Sequence, residues 1–443
     1  MDFYTDKQTL DDLNILGKYT SNSVFTIFNA VVTKGGERLL DKLFHEPLNN
    51  PETINERSRL FRFFQKRKES FPIDKTAFQT AEQYINHTDY PNTLTAWINS
   101  LRIKILGYLG LDKEYRLMQE GLTATVKVLK SLRAFSENIE NSETENLYSA
   151  KCAVIKSTLE DKRLSWLNHF TVDKKITFLH FAKYDHVLRF VLKDKIAALI
   201  DIIYDIDVNI AVANVAEKRG FGYASAQEKE PNHLLLEGLF HPAVKNAVDN
   251  NVLFTEDKNV IFLTGANMAG KSTLMKALGV ALYLAHMGFP VPAKKMEFSV
   301  KDGMYTSINV PDNLNMGYSH FYAEVLRVKT VAEAVSSKKR LFIIFDELFK
   351  GTNVKDAYDA TVAITDAFSK KPNSTFLIST HIMEAGETLK EKTDNIKFLF
   401  LPTDMDGVVP VYPYKLREGI TDDRHGMIII NNEKIIEIIN GEC

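Results

Sequence analysis

Val260-Ile261-Phe262-Leu263-Thr264-Gly265-Ala266-Asn267-Met268-Ala269-Gly270-Lys271-Ser272-Thr273 decides how this 443-residue chain is read. Residues 265–272 have the spacing G-x-x-x-x-G-K-[ST], preceded by the apolar run 260–263. Leu274, Met275, Ala277, Leu278, Val280, Ala281, Leu282 and Leu284 follow at helical spacing. Strand, glycine loop and helix in that order are the context a phosphate-binding loop requires. Gly265 and Gly270 admit backbone conformations that a side chain forbids, so successive N–H groups can converge on one anion. A helix opening near Lys271 adds its positive dipole end. Lys271 supplies a point charge for the outer phosphates, and the Ser272 hydroxyl is a Mg²⁺ ligand. The segment predicts binding of a nucleoside triphosphate.

Composition sets the bounds. A mass of 50.4 kDa predicts two or three domains. The start, Met1-Asp2-Phe3-Tyr4-Thr5-Asp6-Lys7, is polar and unlike a secretory signal. No apolar run reaches spanning length, and the longest, Val280–Met287, contains His286. The two cysteines, Cys152 and Cys443, fit a reducing cytoplasm and exclude a disulfide scaffold. Residues 1–230 carry 32 Lys+Arg against 31 Asp+Glu, a net of +1, and the remainder 23 against 26, a net of −3. Neither half has the basic excess of a protein held on DNA by phosphate contacts alone. The densest basic stretch, Arg57, Arg59, Arg62, Lys66, Arg67 and Lys68, interleaves Leu60, Phe61, Phe63 and Phe64. It reads as a nucleic-acid patch or as an amphipathic helix with a solvated basic face, and the second is favoured.

Residues 1–220 read as successive helices. Leu39, Leu40, Leu43 and Phe44 share a face that ends before Pro47, and Pro51-Glu52 opens the next helix. Further periodic stretches run through Leu94–Leu111, Met118–Phe135 and Leu179–Val215, with the polar Ser136–Leu147 expected as a surface loop. The polar stretch Gly220–Asn232 is the expected domain boundary. Beyond it Val260–Leu263, Gly303–Ile308, Leu341–Phe345, Thr375–Ile378 and Ile396–Leu401 alternate with helices. The alternation predicts a mostly parallel α/β domain over 231–443, after an all-helical domain over 1–230.

The run Arg340–Phe345 leads into Asp346-Glu347. An acid at such a strand end holds Mg²⁺, the role expected of Asp346, and the following Glu347 suits the general base that polarises the attacking water. Phe376–Thr380 ends in His381, expected as a γ-phosphate sensor. Three such strand ends suggest an ABC-type ATPase that closes as a dimer on two ATP molecules.

On these residues the chain resembles the MutS family of DNA mismatch-repair ATPases. Thr264–Thr273, with its Asn267-Met268 pair, is similar to that family's loop. Phe289–Ala293, Tyr305-Thr306 and Asp312–Glu324 follow in the family's order, and the resemblance implies that Ser319 is offered in trans to the partner subunit's nucleotide. Asp346–Asn353 and Ser379-Thr380-His381 resemble the family's acid pair, dimer-facing loop and histidine switch. Gly238–Pro242 looks like the opening of the ATPase domain, and Tyr414 falls where an aromatic or His stacks on adenine. Asp12–Leu16, Ser23–Phe25, Thr33–Gly36 and Ile54–Arg57 resemble the opening of the lever domain, and Ile206–Ala216 its closing helix.

The chain begins where the lever begins. The resemblance therefore implies a short member of lever and ATPase domains, without the mismatch-reading wedge, and with little room for the DNA clamp. The expected function is an ATP-driven homodimer whose helical lever acts on duplex or branched DNA, or alternatively an ATP-gated protein-interaction module acting on a non-DNA partner such as a ribosome or a repair complex. A small-molecule kinase is disfavoured, because Glu347 and His381 suit activation of water.

Overall fold

The computed structural model describes residues 3–17, 23–86, 112–141, 147–171, 176–308, 320–407, 409–421 and 435–441. The expected stretch 94–111, residues 309–319 with Ser319, and His425-Gly426-Met427 lie outside them. Mixed sheets and helices form two compact units, and neither is one continuous stretch of chain. One comprises Met1–Phe28, Leu43–Ser58 and Val215–Cys443, the other Asn29–Lys42 and Arg59–Asn214. The expected division at residue 230 counted 1–28 and 43–58 with the helical half.

In the first unit, a seven-stranded sheet has the order β1-β8-β9-β10-β5-β11-β14. These strands are β1 (Tyr4–Thr5), β5 (Val260–Gly265), β8 (Gly303–Ser307), β9 (Leu341–Asp346), β10 (Thr375–Ser379), β11 (Ile396–Leu401) and β14 (Arg417–Glu418). Neighbours are parallel except β11 and β14. Every residue of β5, β8, β9 and β10 is buried, as expected of apolar strands covered by helices on both faces. The helices are Lys271–His286, His320–Ser336, Val354–Ser369 and Met383–Lys392. Ser379 pairs with Leu263 on one side and Asp346 on the other, so β5, β9 and β10 end together at one carboxyl edge. Ligands of open α/β sheets bind at such an edge.

A second sheet, ordered β4-β3-β7-β2-β6, takes a strand from the expected boundary stretch: β2 (Gly222–Gln227) lies within residues 220–232. Its partners are β3 (Leu234–Leu239), β4 (Asn250–Phe254), β6 (Pro290–Val291) and β7 (Lys295–Ser299). A small hairpin pairs β12 (Asp404–Asp406) with β13 (Val409–Val411).

The second unit is helical. Its helices include Lys75–Asn86, Asp112–Glu140, Ser149–Leu159 and Phe178–His186, and Pro51–Arg67 and Lys193–Arg219 each contribute part of their length. Phe64, Phe78, Leu122, Leu132, Ile139, Cys152, Leu188 and Leu199 form its core. Helix 112–140 takes in the first half of the expected loop 136–147. Phe135 and Ile139, four apart, both enter the core and carry the helix through polar sequence. A single π turn, Val187–Val191, interrupts the expected helix 179–215. On helix 51–67, Phe61 and Phe64 are buried while Arg59, Arg62 and Lys66 are exposed, the amphipathic pattern favoured above.

Candidate functional site

Gly265, the last residue of β5, has φ +147°, and a Cβ there would lie 2.9 Å from the Leu401 carbonyl oxygen. Met268 has φ +72° and Gly270, the N-cap of helix 271–286, φ +98°. Asn267 and Met268 are exposed and Ala269 is buried. Three left-handed or extended-positive conformations in six residues turn the loop around the free amides at the helix start. Lys271 is buried and bridges the loop, its Nζ donating to the carbonyls of Gly265 (2.7 Å) and Ala266 (3.2 Å). Burial lowers the Lys271 pKa, opposed by Glu347 and Asp346.

Asp346, at the end of β9, is buried and accepts two hydroxyls: Ser272 Oγ on Oδ2 and Ser379 Oγ on Oδ1, both at 2.5 Å. Glu347 has φ +57°, and its N–H donates to the carbonyl oxygen and hydroxyl of Ser379, each at 3.1 Å. That turn brings Glu347 Oε1 to 3.9 Å from Lys271 Nζ. The Thr380 N–H, just past β10, donates to the Leu263 carbonyl at 3.2 Å, and the following His381 is exposed at the same edge. Lys271, Ser272, Asp346 and Glu347 are thus brought together as expected. Ser379 joins them with no role foreseen for it, its only sequence signal being a polar residue at a strand end beside the acids.

A cavity of about 290 Å³ adjoins the loop, lined by Phe240, His241, Val248, Gly270, Thr273 and Tyr414 among others. That is the low end for a small-molecule site, with room for a planar heterocycle. Tyr414 is 45% exposed with φ +57°, and its ring lies 3.0 Å from where a Cβ on Gly270 would be. Asn250 fixes this segment, donating to the Tyr414 carbonyl (2.9 Å) and accepting from the Leu416 N–H (2.8 Å). His241 accepts the Ala243 N–H on Nδ1 at 3.3 Å, so its neutral ring carries the proton on Nε2. Burial, then Lys276, depresses its pKa and favours that neutral ring. Sequence reading placed Tyr414 at such a site but gave His241 no role, since the wall is assembled from separate segments.

The charge arrangement is an anion cradle facing two acids. Ser272 Oγ and Asp346 Oδ2 are hard oxygen donors on one side of it, the donor type that suits Mg²⁺. Adjacent oxygens around an octahedral Mg²⁺ stand about 2.9 Å apart, so this pair needs to open by only a few tenths of an ångström to share one ion. Among the described residues no group of three or more His, Cys, Asp or Glu is placed to hold a metal by itself. No helix among them is long and apolar enough to cross a membrane.

Residues 261–440 match the family model described as MutS domain V, and residues 8–213 that of MutS domain III. The chain is similar to the DNA mismatch repair protein MutS of Aquifex pyrophilus, 28% identical over 395 residues, covering 84% of this chain and 43% of that protein. With its counterpart from Petrotoga mobilis it is 29% identical over 265 residues, 58% of this chain and 32% of the relative. With that of Bacillus cytotoxicus it is 30% identical over 240 residues, 53% and 26% respectively. The chain spans less than half the length of these relatives.

Proposed function

We propose that this chain, which carries domains III and V of the MutS family, is an ATP hydrolase whose nucleotide-dependent dimer closure drives a helical lever. In this reading the sheet-bearing unit, residues 1–28, 43–58 and 215–443, is an ABC-type P-loop ATPase domain and the helical unit, 29–42 and 59–214, the lever. The convergence of Lys271, Ser272, Asp346 and Glu347 at one strand edge carries it.

The loop amides and Lys271 hold the β- and γ-phosphates, displacing Lys271 from the Gly265 and Ala266 carbonyls. Gly265, Asn267, Met268, Ala269, Gly270, Ser272 and Thr273 complete the wrap. Ser272 and Asp346 would hold Mg²⁺, which supplies charge neutralisation on the phosphates. Glu347 accepts a proton from a water whose oxygen attacks the γ-phosphorus as the bond to the β-phosphate oxygen breaks. His381 reads the γ-phosphate from the next strand end. Tyr414 and His241 enclose the base. Ser319 of a second copy completes the site, a homodimer supported by the three-quarters exposure of two apolar side chains, Met268 in the loop and Val354 beyond the Glu347 turn.

The lever's ligand is DNA, duplex or branched, in repair or recombination. This is supported by the names of the relatives, and no reading of mismatches is assigned to it. The near-neutral charge of both halves favours as second reading a protein partner, such as another repair protein. Phosphate release by the purified chain tests the proposal, with and without duplex, mismatched and junction DNA. Hydrolysis lost in Lys271→Ala and stimulated by one of these DNAs is expected. Absence of hydrolysis, or its persistence in Lys271→Ala, overturns the ATPase reading. Hydrolysis and binding indifferent to every DNA at low salt turn the partner towards protein.

A further inference from the structure

Glu347 is bracketed by two ammonium groups, and only one belongs to the phosphate loop. Lys271 Nζ stands 3.9 Å from Oε1, while Lys350 Nζ stands 3.2 Å from Oε2. We propose that Lys350 is a positioning residue for the hydrolytic step: it ties down Oε2 and leaves Oε1, on the Lys271 side, as the oxygen that takes the proton from water. This rests on the reading of Glu347 as general base.

The turn that presents Lys350 is packed ahead of that residue and closely approached just after it. Leu348 and Phe349 on one side are buried, and Phe349 is held at φ +63°, a conformation costly for a side chain of that size. Its ring meets Phe321 edge-on at 6.0 Å. On the other side the backbone at Gly351 is so close that a Cβ would lie 2.7 Å from the Phe321 nitrogen. With Phe349 buried ahead of it and Gly351 close to Phe321 behind it, the Lys350 stem folds back onto the carboxylate of the same turn.

A carboxylate has about four lone-pair sites. A cation on Oε2 leaves Oε1 free to accept from water. At 3.9 Å Lys271 is beyond hydrogen-bond reach of Oε1, so the phosphate-loop cation orients that oxygen by charge without occupying it. The Lys350 side chain is 39% exposed, and an ion pair so exposed adds little to stability. The chemistry of the base gives it its value, since a displacement of about 1 Å at a reacting group can cost ~10²-fold in rate.

The test measures turnover and nucleotide affinity separately in Lys350→Met, Lys350→Arg, Glu347→Gln and the double variant Glu347→Gln/Lys350→Met. Lys350→Met is expected to lower kcat about 10- to 100-fold, while ADP and non-hydrolysable ATP analogue affinities stay within about twofold and the melting temperature is unchanged. Lys350→Arg should recover most of the rate. In single-turnover reactions the double variant should be no slower than Glu347→Gln alone, because a residue acting through the base has nothing left to position. Full turnover in Lys350→Met overturns the proposal and leaves the ATPase reading intact. So does a further loss on adding Lys350→Met to Glu347→Gln, which would put Lys350 on the phosphates. An unmodified protein without hydrolysis brings down both.

Discussion

The buried polar groups of the helical unit and those at the carboxyl edge of the seven-stranded sheet are held on opposite terms. In the helical unit Tyr84 donates to Asp185 at 2.5 Å, and Arg189 pairs with the same carboxylate at 3.3 Å while lying over the Tyr84 ring. Asp207 accepts the Thr33 N–H and hydroxyl, each at 2.7 Å, and Tyr148 donates to Asp205 at 2.8 Å. The backbone around them is ordinary: among the described residues of that unit the one non-glycine with positive φ is Lys68. At the sheet edge Met268, Glu347, Phe349 and Tyr414 all have positive φ. Each such residue costs on the order of 1–3 kcal/mol and persists only where its surroundings over-determine it. One region uses polar pairing to lock helices, and the other accepts strain to aim side chains. The strained positions cluster where the hydrolytic site is proposed.

The largest effect should come from the strained region and leave stability alone. Glu347→Gln keeps the shape of the turn and removes the proposed base, so hydrolysis should fall by ~10³-fold with nucleotide binding retained and the dimer trapped closed. Steady-state phosphate release together with light scattering in ATP measures both. Undiminished turnover would remove Glu347 from that role. Arg189→Met should do the reverse. Leaving Asp185 charged and buried without its cation costs about 3–5 kcal/mol, seen in the urea midpoint, with ATP affinity unchanged. A variant as stable as the parent would show that this pair does not lock the helices.

At the other end of the sheet a third arrangement sharpens the contrast. Lys301 is fully buried, donating to Asn232 Oδ1 and, at 3.0 Å, to Thr375 Oγ1. Burial, then the Arg340 charge, pulls its pKa down to about 7 against the opposing pull of Asp302. The unfolded chain keeps the ordinary value of 10.5, so between pH 7 and 10.5 it holds one more proton than the folded chain. Stability from this group therefore rises with pH through that window, by up to about 1.4 kcal/mol per pH unit, and its full cost is present below pH 7. Lys301→Met should flatten the slope of unfolding free energy measured from pH 7.5 to 9.5. An unchanged slope would mean that Lys301 keeps its proton when folded.

Much of this was legible in the chain. Of the five main strands of the large sheet, four were readable because each holds an apolar run, 303–307 (Gly-Met-Tyr-Thr-Ser) because of its place in the alternation with helices, and Lys271, Ser272, Asp346 and Glu347 because they sit at fixed offsets from strand ends. The second sheet was not. Its strand 222–227 is Gly-Tyr-Ala-Ser-Ala-Gln, with few strong β-formers, and it opens on a glycine because a Cβ on Gly222 would fall 2.4 Å from the Ala293 carbonyl oxygen. Close backbone approach selects glycine at that position and weakens the β signature. The wall around His241 and the Ser379 bridge depend on which strands become neighbours, which periodicity does not encode. The packing of residues 1–28 and 43–58 with 215–443 is likewise long-range. Lys350 required the left-handed turn, visible only in the folded backbone. The family resemblance supplied Ser319, which lies outside the described residues.

The smallest expected effect probes the strain itself. Met268 is 76% exposed, so its side chain contributes little packing to offset a φ of +72°. Replacing it with glycine should recover about 1–2 kcal/mol of backbone strain. The freer unfolded chain takes back roughly 0.4–1 kcal/mol, the reverse of the gain from replacing glycine at unstrained positions. Met268→Gly should therefore be more stable than the parent by up to about 1.6 kcal/mol in urea unfolding. If Met268 is also part of the dimer face, the same variant should dimerise more weakly in ATP, so that stability and assembly move in opposite directions. A loss of stability would mean that the loop holds its shape through the Met268 side chain, and the contrast between a relaxed helical unit and a strained sheet edge would lose its clearest member.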